Sequence, residues 1–187
     1  MPNRVFKAGR LFRAAVLVVL ITVSGTELWG GDGCVAFQAN IQGALRLSPV
    51  PGWYADTYIT IGKTVLQATT VWAAPAIVAE KFNPNVYMGT ERAVVSVEGL
   101  GTFELISHFV SPHRTFKEGV AILNESGTIG NGTGVFANVS GHFTDHGVYG
   151  PGVPGGVPPV NYGFLSSMNG SICGVDLSTA GLTPSSN

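Results

Sequence analysis

Charge is the first thing this sequence lacks. Lys, Arg, Asp and Glu make up 11% of its 187 residues, against about 25% in a typical globular domain. No basic stripe runs through it, so it has no electrostatic footprint of a nucleic-acid binder. Cysteine is scarce, with only Cys34 and Cys173 present. No apolar run is long enough to cross a bilayer as a helix. The longest near the N-terminus, Ala14 to Val23, is 10 residues, where a span needs about 20. The sequence also has no G-x-S-x-G nucleophile elbow, phosphate loop or dinucleotide fingerprint. Beyond the first 25 residues it has no strong amphipathic helix. These absences leave no sign of a serine-hydrolase elbow or a nucleotide site and predict no cofactor.

The N-terminus reads as an export leader. Arg4, Lys7, Arg10 and Arg13 precede the apolar run, and Val23-Ser24-Gly25 offers small residues for a signal peptidase. The expected cut follows Gly25, with a later cut near 36–39 as the alternative, and no stable membrane span is left after cleavage. An uncleaved anchor is a weaker reading. A lipoprotein reading through Cys34 lacks the aliphatic residue expected before the cysteine. The leader holds four of the ten basic residues and none of the eleven acidic ones, so the remaining chain carries six against eleven, a net charge of −5. The expected location is secreted or periplasmic. There a Cys34–Cys173 disulfide is permitted, with two free thiols as the alternative.

Glycine (26 residues) and proline (11) are abundant and punctuate apolar alternation, which predicts many short strands and tight turns. Residues 26–39 read as a spacer, 40–177 as one β domain and 178–187 as a frayed tail. Strands are expected over 41–47, through 57–72 with a bend at Gly62, over 92–98, 102–110 and 119–124, and within 135–149. A short helix could start near Pro75. Residues 126–134 read as turn, 150–159 as a surface loop, and Asn169-Gly170 as the turn of a last hairpin. In 92–98, Ala93, Val95 and Val97 oppose Val94 and Ser96, as side chains alternate along a strand. The fold class is all-β: a single antiparallel, closed or nearly closed barrel of about eight strands, preceded by an N-terminal signal helix. Closure suits a weakly charged β protein because it leaves no exposed edges.

Gly132, Gly134, Phe136 and Gly141 follow a G-x-G-x-F-x-x-x-x-G pattern. It resembles the glycine-rich signature of the allene oxide cyclase and dirigent-type barrels and of related secreted bacterial barrels. The resemblance covers about residues 100–175, with Gly101 to Leu105 as an upstream strand and 162–172 as the closing segment. It implies a calycin-like barrel in which Phe136 plugs the interior or one end. The family's activities, cyclisation of a fatty-acid epoxide and steering of phenoxy-radical coupling, rest on residues with no defensible match here.

Several residues bear chemistry. Glu104 and His108 share a strand face with Ile106. If that face were interior, they would form a polar pair in an apolar cavity. Phe103, Leu105 and Phe109 make the better apolar face, so the exterior placement is favoured. His142 and His146 would stand roughly 13 Å apart on a strand, too far for one metal. Asp145 falls on the opposite face. His113-Arg114 reads as an exposed turn. Asn124, Asn131, Asn138 and Asn169 each begin an N-x-S/T sequon, weak in so turn-rich a chain. The expected function is a secreted binding or structural module for a small apolar ligand, with no nucleic-acid partner. The alternative is a cofactor-independent isomerase or cyclase acting on a lipid-like or phenolic substrate.

Overall fold

A computed structural model of the chain describes residues 33–46, 52–72, 76–79, 86–112, 119–154 and 162–182. The leader and its helix, the His113-Arg114 pair and residues 155–159 of the 150–159 loop lie outside them.

Among the described residues, nine antiparallel strands follow in chain order: β1 (Cys34–Arg46), β2 (Gly52–Ile61), β3 (Thr64–Trp72), β4 (Ala76–Ala79), β5 (Val86–Val97), β6 (Gly101–Pro112), β7 (Ala121–Gly130), β8 (Ser140–Pro151) and β9 (Tyr162–Cys173). Eight form a closed barrel in the order β1-β2-β3-β5-β6-β7-β8-β9. The ring closes because β9 pairs with β1 and β3 with β5. β4 pairs only with β5, beyond the ring. Among the described residues no helix is long and apolar enough to cross a membrane. Cys34 lies directly opposite Cys173 in the β1–β9 register, and the two are disulfide-bonded. The bond ties the first strand of the barrel to the last.

Alternation decides the interior. Ala93, Val95 and Val97 on β5 and Phe103, Leu105 and Phe109 on β6 are buried, as their spacing predicts, while Val94 and Ile106 face outward. One barrel end is shut by a short 3-10 turn over Gly134–Phe136, in the link between β7 and β8. Phe136 is fully buried there, with its ring 5.0 Å from that of Phe103, which meets Phe37 edge-on at 6.2 Å. Gly134 has φ +60°, and a Cβ on it would overlap the Leu100 carbonyl oxygen. Only glycine adopts that backbone at such close approach without strain. Gly132 and Gly141 belong to the same end of the barrel, so the motif builds a plug.

Several sequence expectations need correction. β1 starts at Cys34, inside the stretch read as a spacer. Residues 57–72 are two strands joined at Gly62-Lys63. Ala76–Ala79 is a strand and not the start of a helix, because four β-compatible residues find a partner edge on β5. β7 continues through Ser126 to Gly130, since its small and polar residues alternate with the buried Glu125 and Ile129. Residues 134–136 are the 3-10 turn, and β8 begins only at Ser140. The Asn169-Gly170 turn does not exist; β9 passes straight through it. Gly170 lies between Phe143 on β8 and Phe37 on β1, and a Cβ there would overlap the His142 carbonyl oxygen. Its glycine serves close strand approach, not a turn. Leu177–Ala180 forms a second 3-10 turn, begun by Asp176, whose side chain accepts a hydrogen bond from the Ser178 backbone N–H.

Candidate functional site

Glu104 and His108 stand on the outer face of β6. Glu104 pairs there with Arg92 at 2.6 Å and accepts a hydrogen bond from Asn131 Nδ2 at 2.7 Å. The Asn131 hydrogen bond, with the hydrogen bond and charge of the Arg92 guanidinium, holds the Glu104 carboxyl below its ordinary range. His142 and His146 also face outward, within hydrogen-bond distance of Ser171 Oγ and Asn124 Oδ1. The structure therefore brings none of these four side chains into the barrel.

Three other carboxyls point inward instead. Glu91 on β5 shares its strand face with Ala93, Val95 and Val97. Glu125 on β7 lies directly across from Asp145 on β8, where opposed Cβ atoms stand about 5 Å apart. Asp145 is 3% exposed and Glu125 7%. Ser107 on β6 is opposite Glu91 and hydrogen-bonds Glu125. Trp72 on β3 hydrogen-bonds Glu91, and Glu91 and Glu125 bond to each other. Ser166 on β9 stands beside Asp145. Asp145 Oδ1, Ser166 Oγ and Ser111 Oγ are nevertheless buried without a hydrogen-bond partner of acceptable geometry. Among the side chains described, none that faces inward is basic.

Burial without a counter-charge disfavours ionisation. It pushes Glu91 up to about 7. It pushes Glu125 up to about 9, with the charges of Glu91 and Asp145 adding to the effect. Asp145 is raised for the same primary reason, partly offset by Ser166 and the His146 backbone. Glu125 thus holds its proton at neutral pH and can donate a hydrogen bond as well as accept one.

Towards the end of the barrel opposite Phe136, rings gather above these carboxyls. Phe164 meets Trp72 at 4.9 Å and Trp53 at 5.4 Å, both edge-on, and Trp53 meets Tyr149 at 6.1 Å. The interior therefore runs from a phenyl plug, through a carboxyl layer, to an aromatic layer. On the outside, a groove of about 490 Å³ crosses β2, β1 and β9, lined by Asn40, Gln42, Tyr54, Asp56, Tyr58 and Leu165 among others. Ile41 and Ser166 of the inward set also border it.

Sequence reasoning placed Asp145 opposite the two histidines but gave it no role. It missed Glu91 and Glu125 altogether. The signal available was a single acid at an inward position of each apolar alternation. No protein-family model, curated protein or solved structure matches the chain.

Proposed function

We propose that this chain is an exported barrel that binds a small, largely apolar molecule at its acidic–aromatic end. On this reading the aromatic layer holds the apolar body of the ligand, and Glu91, Glu125 and Asp145 meet its polar group. The observation that carries the reading is Asp145. It is a buried carboxyl with one oxygen unpartnered, opposite the Glu125 carboxyl on one side and Met168 on the other. Unpaired buried polar atoms are costly in a purely structural core. Perturbed carboxyls beside an aromatic lining are the usual chemistry of a ligand site. The glycine-rich plug around Phe136 supports placing the chain with the allene oxide cyclase and dirigent-type barrels. The disulfide and the basic-apolar leader support a location outside the cytoplasm.

A second reading is a cofactor-independent isomerase or cyclase. It is favoured by one observation, that Glu91 is raised to about 7 and hydrogen-bonded to Glu125. Such a pair can give and take a proton near neutral pH. Organic extraction and mass spectrometry of the protein secreted by its own cells tests binding. Recovery of a stoichiometric small molecule, lost in Asp145→Asn, is expected. A protein that yields none and shows no saturable binding of the neutral probe Nile red would not be a binding module.

A further inference from the structure

Among the described side chains, those that face the barrel interior include three acids and no base. Glu91, Glu125 and Asp145 come from β5, β7 and β8. The neighbours facing them from the other strands are neutral: Ser107 from β6, Ser166 from β9 and Trp72 from β3. The charged groups closest in sequence turn away, Arg92 to Glu104 and His146 to Asn124. Two side chains that face this interior are at least nine-tenths buried and keep an unpartnered oxygen, Asp145 (Oδ1) and Ser111 (Oγ). Ser111 follows Ser107 and Phe109 on the inward face of β6, and Phe109 lies opposite Glu125. Among the described residues, no three His, Cys, Asp or Glu side chains converge closely enough to hold a metal ion. The carboxyls instead lie on the inward faces of β5, β7 and β8, on the side of the barrel where the rings of Trp53, Trp72, Tyr149 and Phe164 meet.

The geometry points to a small organic ammonium, carried on an aromatic or apolar body, as the ligand class of this end of the barrel. An ammonium has only donors, and the orphan oxygens and carboxylates are acceptors. Ring faces attract a cation that has left water, and ring edges and faces pack its body. A buried carboxylate is tolerated when it is paired with an opposite charge, so the ligand supplies what the interior lacks. The inference rests on the reading of this end as the binding site.

Binding of a cation favours the ionised carboxyls, whose protons then leave to the buffer. Titration calorimetry of the disulfide-bonded secreted protein at pH 7.5 should compare tryptamine with tryptophol, which carries a hydroxyl in place of the ammonium. Tryptamine is expected to bind at least tenfold more tightly. Its apparent heat is expected to change with buffer ionisation enthalpy as protons are released. Glu125→Gln and Asp145→Asn, near-isosteric changes, should each cut the preference at least threefold and reduce proton release. Equal affinities, or tighter tryptophol, would overturn the ammonium assignment and leave the binding reading intact. Failure of both probes to saturate would overturn both.

Discussion

Glu125 has a second carboxyl across from it, a third hydrogen-bonded to it and no cation on the inward face among the described residues. A carboxyl whose folded pKa is raised favours folding most while it is protonated in both states. Its contribution is complete below the ordinary glutamate range near 4.5 and is lost progressively as pH rises toward about 9. Thermal stability should therefore decline across that window, with Glu91 adding to the loss up to about pH 7. Glu125→Gln should flatten the decline and raise stability at pH 8 by about 1–2 kcal/mol. That corresponds to roughly 3–6 °C in Tm for a domain of this size. A variant with the wild-type pH profile would show that Glu125 does not titrate as assigned. At Gly170, any Cβ meets the His142 carbonyl oxygen. Gly170→Ala should cost more than about 2 kcal/mol in denaturant unfolding, as overpacking does. A neutral effect would mean the strands are further apart than described.

The strands and their closures carry the stability. Cys34 and Cys173 are 139 residues apart in sequence and adjacent across β1 and β9. In the chain-entropy view, so long a loop is worth about 5 kcal/mol. Replacing both cysteines by serine should lower the unfolding free energy by roughly 3–5 kcal/mol, read as a shift in denaturant midpoint. Phe136→Ala should cost about 3–5 kcal/mol by emptying the plug against Phe103. Much of this level was legible in the sequence, because period-2 alternation on β5 and β6 names the inward residues directly. The cysteines and the Phe136 motif marked the closing strands and the plug. What misled was composition. Asn169-Gly170 has the residues of a hairpin turn, yet it stays within β9, paired with Phe143 on β8 and Phe37 on β1. The Ser- and Gly-rich 126–130 stretch looks like a turn, yet Glu125 and Ile129 fix it as a strand. The candidate site was less legible. Acids are normally assigned to solvent, so Glu104 drew notice for its histidine neighbour while Glu91 and Glu125 drew none. Only barrel closure shows that their strand faces converge with that of Asp145.

At the scale of the whole molecule, the barrel separates two jobs. The disulfide edge and the Phe136 plug secure one end, and the acidic and aromatic layers occupy the other part of the interior. The outer groove of Asn40, Asp56 and Tyr58 offers a competing place for a ligand. Nuclear magnetic resonance titration distinguishes the two most directly, with indole and backbone N–H signals followed as tryptophol or tryptamine is added. Saturable shifts centred on Trp53, Trp72, Tyr149 and the backbone of Glu91, Glu125 and Asp145 are expected. Shifts confined to Asn40, Asp56 and Tyr58, or no saturable shift at all, would contradict binding inside the barrel.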